Sequence, residues 1–127
     1  MTFTKKVAAG QDIASADFRQ YFGDFFSEGI KTGFTVSVES GLSINIAAGI
    51  AYVKDTNDGM YRIVSDSVES LTATASSTNY VYLHSDNGSN WLTISTSATV
   101  PDDAMLLATV VAGASSITSV TNVTSGL

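Results

Sequence analysis

From Phe34 onward the chain is a succession of short apolar segments. Some alternate with polar residues and others run as β-branched stretches, each ended by Gly, Asn, Asp or Ser. Period-two alternation broken by turn residues is the pattern of half-buried strands. It predicts strands at Phe34 to Val38, Leu42 to Ala47, Ile50 to Val53, Tyr61 to Val64, Ser70 to Ala75, Tyr80 to Ser85, Trp91 to Thr96, Met105 to Val111 and Ile117 to Val123. Glu39-Ser40-Gly41, Asn57-Asp58-Gly59 and Asp86-Asn87-Gly88 read as tight turns. Asn-Gly and Asp-Gly steps take the positive φ that hairpins require, so Tyr80–Ser85 and Trp91–Thr96 are expected to be antiparallel neighbours. In the first of these, Tyr80, Tyr82 and His84 share one face and Val81, Leu83 and Ser85 the other, the second being the expected core face. The run Ala104 to Ala112, after the break at Pro101-Asp102-Asp103, suits a strand buried on both faces. The last segment is polar enough to be a sheet edge.

The residues before this region follow a different period. Phe18, Phe22 and Phe25 recur at i, i+4 and i+7, with Tyr21 and Phe26 beside them, which predicts a helix from Ser15 to Gly29. Ser15 is the candidate N-cap, Asp17 lies in the first turn and Gly29 near the stop. This aromatic stripe either covers an open sheet face or docks on a neighbouring subunit. The expected fold is therefore mainly β: an antiparallel sandwich or barrel of about seven to nine short strands with an N-terminal α-helix. It forms a single domain, with residues 1–31 as arm and helix and 32–127 as the β module.

Composition narrows the function. The chain has 127 residues, no Cys and a net charge of −6, with 14% charged residues against the roughly 25% of ordinary soluble domains. Ser and Thr, about a quarter of the chain, supply its polarity instead. Such a surface suits close packing against copies or partners. Without Cys there are neither disulfides nor thiolate metal sites. The basic residues Lys5, Lys6, Arg19, Lys31, Lys54 and Arg62 are scattered rather than clustered, which argues against nucleic acid as a partner. No apolar run approaches the ~20 residues of a membrane span, and Val7-Ala8-Ala9 after Lys5 and Lys6 is too short for a signal-peptide core. Synthesis in a cytoplasm, with no membrane association, is the expectation.

Candidate chemistry is sparse. The only His is His84, and no Gly-x-Ser-x-Gly elbow accompanies it, so it reads as a strand residue on an exposed or partner-facing surface rather than a catalytic base. Asp102 and Asp103 are adjacent and point opposite ways in extended backbone, which makes a solvated loop start rather than an acid/base pair. Asp55-Thr56-Asn57-Asp58-Gly59 resembles the opening of a calcium loop. Its twelfth position is Asp66 rather than a closing bidentate Glu, so a hairpin turn is the stronger reading. No metal or cofactor is expected, and the catalytic set is empty. The sequons at Asn87 and Asn122 lack a secretory signal. Tyr80, Tyr82 and Trp91, with Asp86, Asn87 and Asn90, form a possible glycan surface, since rings stack on pyranose faces while amides and carboxylates bond sugar hydroxyls.

The order of pieces from Gly41 onward resembles the small β-rich modules of bacteriophage tail-fibre and baseplate proteins. The pieces are Gly49-Ile50-Ala51-Tyr52-Val53, Gly59-Met60-Tyr61, Asn79-Tyr80-Val81-Tyr82-Leu83-His84, Val100-Pro101, Leu107-Ala108-Thr109-Val110 and Ser116-Ile117-Thr118. Asp17 to Gly29 is similar to the short helix that often precedes such modules. In place of the Asp-Arg pair that often ends them, this chain has Thr121-Asn122-Val123-Thr124. The resemblance implies a non-enzymatic virion protein of a tail fibre, a baseplate or a capsid surface, where it would be a head fibre or a decoration protein. Its partners would be its own copies, with a trimer as the family-like order, and other virion proteins. The helix aromatics Phe18, Tyr21, Phe22, Phe25 and Phe26 would dock on the sheet or a neighbour. A host-attachment module binding a surface glycan is the alternative.

Overall fold

The computed structural model describes residues 28–54, 60–85 and 91–123. Ten strands lie among them: β1 (Gly29–Gly33), β2 (Val36–Ser40), β3 (Ser43–Ile46), β4 (Gly49–Lys54), β5 (Met60–Ser65), β6 (Glu69–Thr72), β7 (Thr78–His84), β8 (Leu92–Ser95), β9 (Ala104–Ala112) and β10 (Ile117–Asn122). The protein is mainly β, every pairing is antiparallel, and no helix occurs among the described residues. The strands form three sheets, ordered β1-β4-β5, β2-β3-β6 and β10-β9-β7-β8.

The first two sheets are halves of one bent layer. The chain leaves β1 for β2 through Gly33 and Phe34, both at positive φ (70° and 52°). It returns from β3 to β4 through Ala47 and Ala48, and the ladder crosses the bend in the bonds Phe34 N–H to Ala48 O (3.3 Å) and Ala47 N–H to Thr35 O (2.9 Å). The glycines here are obligatory: a Cβ on Gly33 would lie 2.0 Å from Ala48 O, and one on Gly49 would lie 2.5 Å from Phe34 N. The pair β5 and β6 follows the same bend, β5 on β4 and β6 on β3. Its corner is held by Ser65 Oγ donating to Ser67 O (3.0 Å) and Ser67 Oγ donating to Glu69 Oε1 (3.0 Å).

The third sheet is fastened to this layer along one seam. Asn122 of β10 bonds the backbone of Val36 in β2, and Ile117 N–H donates to Gly41 O (3.0 Å) at the other end of β10. At the opposite seam β6 and β8 approach each other without pairing. Ile30, Ala51 and Val53 from the first sheet, Val36, Ile44 and Ile46 from the second, and Val81, Leu83, Leu107 and Val110 from the third make one core with Phe34 at the bend. Each Val, Leu or Ile among them contributes about 1.5–3 kcal/mol on burial.

Each of the nine expected strands overlaps an observed one, and Tyr80–Ser85 and Trp91–Thr96 are antiparallel neighbours as expected, with Val81 paired to Ile94 and Leu83 to Leu92. β9 is central and β10 is an edge, as the apolar and polar patterns require. β1 was not expected, and Gly29, the anticipated helix stop, is its first residue. The rest of the predicted helix, with Phe18, Tyr21, Phe22, Phe25 and Phe26, lies outside the described residues.

Candidate functional site

Three features outside the core could carry function: a polar constellation around His84, the outer face of the third sheet, and a groove at the open seam.

His84 is buried rather than surface-exposed, and the face it shares with Tyr82 is not open, because residues 96–103 fold over it. Tyr82 is 2% exposed, and its hydroxyl donates to Ser97 O at 2.6 Å. Burial, and secondarily the neighbouring Tyr80, push the Tyr82 phenol above its ordinary range. His84 Nε2 lies 2.8 Å from Thr93 Oγ1, and Nδ1 lies 3.2 Å from Asp103 Oδ1. Asp103 is thus an anchor and not a solvated loop residue, whereas Asp102 points to water as the alternation requires. Hydroxyl, imidazole and carboxylate stand in the order that activates a nucleophile. None of the three lines the groove, however, and the imidazole between them is buried. The arrangement ties β7 to β8 and to the segment entering β9. Ser85 extends it, donating from Oγ to Lys54 O (2.8 Å) and Asp103 O (3.1 Å).

A second buried polar residue has a purely architectural role. Asn79 Oδ1 accepts Thr74 N–H (2.9 Å) while Nδ2 donates to Thr74 O and Ser77 O (both 3.1 Å), locking the turn that contains Ser76 at positive φ.

The outer face of the third sheet is distinctive in composition. None of the residues of β7, β8, β9 and β10 is Lys, Arg, Asp or Glu. Cross-strand register places Thr121, Thr109, Tyr80 and Ser95 in one row of this face, and Ser119, Val111 and Thr78 in the next. Thr121, Ser119, Val111 and Thr78 are exposed.

The groove, of about 520 Å³, opens between the bent β5–β6 strand and β8. Phe34, Leu71, Leu83 and Leu92 form its apolar side, and Arg62, Asp66 and Glu69 its charged side. Trp91 borders it and is 45% exposed. Of the residues expected to present a glycan surface, Trp91 alone is found exposed: Tyr80 is half-buried, Tyr82 is buried, and Asp86, Asn87 and Asn90 lie outside the described residues. The groove's polar members were not anticipated, since Arg62, Asp66 and Glu69 are far from Trp91 in the chain and only the seam brings them together.

Among the described residues no group of three His or acidic side chains could hold a metal ion. The stretch Asp55 to Gly59 lies outside them. No helix among the described residues is long and apolar enough to cross a membrane. Comparison with known proteins gives no family model, curated protein or solved structure that matches the chain.

Proposed function

We propose that this chain is a non-enzymatic structural protein of a bacteriophage virion, a tail-fibre, baseplate or capsid-surface component that assembles as a symmetric homo-oligomer. The observation that carries the assembly is the outer face of the third sheet, where four strands present hydroxyl, Val and Tyr side chains and no charge. A face of this kind loses little by desolvation when it meets another copy, because hydroxyls can exchange water for one another and no ion is stripped of its hydration. Charge on the strands is placed in the other two sheets, at Lys31, Glu39, Lys54, Arg62 and Glu69, while Asp102 and Asp103 adjoin this face at the end of the loop that covers Tyr82 and His84.

The virion setting rests on the resemblance of the strand sequence to tail-fibre and baseplate modules, and with it the trimeric order and the sandwich or barrel architecture. Tying His84 into a fastening between β7, β8 and residue 103 supports a role without catalysis, since the one imidazole is spent on structure. Phe18, Tyr21, Phe22, Phe25 and Phe26 are the candidates for a second contact between copies. Light scattering during gel filtration tests the reading: a closed oligomer supports it, and a 13.3 kDa species at high concentration overturns it.

A further inference from the structure

We infer that the groove at the open seam is a binding site for a neutral oligosaccharide, with Trp91 as its stacking platform and Arg62 and Asp66 as its hydrogen-bonding groups. The inference does not depend on assembly, because the groove and the charge-free face of the third sheet are built from different residues.

Four observations carry it. First, Trp91 lines a concavity and is 45% exposed, which leaves a large part of its indole to meet a flat partner in the groove. The C–H face of a pyranose is such a partner, and ring stacking removes apolar area from water on both sides. Second, the volume of about 520 Å³ falls within the range of small-molecule sites. Third, Arg62 and Asp66 both line the groove and are exposed, so their charged heads are within reach of a ligand lying in it. A guanidinium fork and a carboxylate on the wall of one groove complement the donor and acceptor faces of vicinal hydroxyls. Glu69 is already engaged by Ser67 Oγ at 3.0 Å and so is a wall, not a reader.

Fourth, charge selects the class of sugar. One guanidinium faces two carboxylates in the groove, and the chain as a whole carries −6, so an acidic or sulfated glycan meets net repulsion while a neutral one does not. A peptide strand is the poorer occupant. β6 and β8 converge across the seam, leaving no room for a further strand to be paired on both sides.

Trp91 is the sole tryptophan, so intrinsic fluorescence reports on the groove directly. Full-length protein is titrated with neutral trisaccharides of glucose, mannose and N-acetylglucosamine, and with an oligouronate as the acidic comparison. The expected result is a saturable change in emission with at least one neutral sugar, and none with the uronate. Calorimetry on Arg62→Ala and Asp66→Asn, each folded by circular dichroism, should show affinity for that sugar reduced about tenfold, the loss expected for a hydrogen bond to a charged group. Three results overturn the proposal: silence with every neutral sugar, undiminished calorimetric binding by Trp91→Ala, or an emission shift that follows protein concentration without sugar. The last would make the groove a contact between copies.

Discussion

Asn122 grips Val36 through both atoms of its amide: Oδ1 accepts the Val36 N–H at 2.8 Å, and Nδ2 donates to the Val36 carbonyl at 3.0 Å. A side chain thereby performs the work of a ladder rung between β10 and β2, two edge strands of different sheets. Asn122→Ala leaves both Val36 groups to find water beside a core residue that is 2% exposed. The expected cost is about 1–3 kcal/mol, seen as a lower urea midpoint at unchanged slope. Asn122→Asp should also destabilise, because one carboxylate oxygen would face the Val36 carbonyl without a proton between them. An unshifted midpoint in both variants would show that this seam is held without the amide.

The bend between β1 and β2 makes a graded expectation for glycine. Gly33 and Gly41 both have positive φ, but a Cβ on Gly33 meets Ala48 O at 2.0 Å, whereas one on Gly41 meets only Ser115 O at 3.6 Å. Gly41→Ala carries the left-handed conformational cost alone, about 1–2 kcal/mol. Gly33→Ala adds a backbone collision and should be the more destabilising of the two by thermal unfolding. Equal losses would mean that the corner shifts freely.

The imidazole of His84 should matter to stability more than to any reaction. His84→Ala removes contacts to Thr93 and Asp103 and leaves the Asp103 carboxylate half-buried without its partner, at a cost of about 2 kcal/mol or more. Amide exchange should accelerate through residues 96–103, the segment anchored by Asp103 and by the Tyr82 bond to Ser97. Exchange confined to the wild-type rate there would separate the histidine from the loop.

Tyr82 provides a spectroscopic handle on the same loop. Its folded phenol holds its proton to higher pH than an unfolded one, mainly through burial and then through Tyr80. Stability from this group is therefore complete below the ordinary tyrosine range and is lost as pH rises from there through the raised folded value. Ultraviolet titration of the five tyrosines should show a late ionising component that Tyr82→Phe removes. The variant should also lose about 1 kcal/mol at neutral pH with the bond to Ser97. A late component that persists in Tyr82→Phe would assign it to another tyrosine.

How far the sequence could be read depended on whether a signal was local. The alternation in β3, β4, β5 and β7 and the apolar run of β9 lie within single segments, and each predicted strand is present. β1 carries no such signal, because Gly-Ile-Lys-Thr-Gly offers one buried aliphatic between two glycines and abuts an aromatic pattern of helical period. The alternation puts Phe34 inside a strand, whereas it occupies the corner, since nothing in an isolated Phe announces a positive φ. The predicted strand Ser70 to Ala75 stops at Thr72, because the Asn79 side chain captures Thr74 into a turn. The burial of Tyr82 and His84 was hidden for the same kind of reason: what covers them is a loop, and loops have no period. Arg62, Asp66 and Trp91 come together only across the seam, a relationship that no spacing along the chain encodes.

In the proposed assembly, copies of this chain meet through the uncharged outer face of the third sheet. Its most direct test is light scattering during gel filtration of the wild type beside the double variant Val111→Lys, Thr121→Lys, two exposed positions on that face. The wild type should be a closed oligomer and the variant a folded 13.3 kDa monomer, as like charges brought together across the contact repel. A variant that keeps the wild-type mass, or a wild type that is itself monomeric, would contradict it.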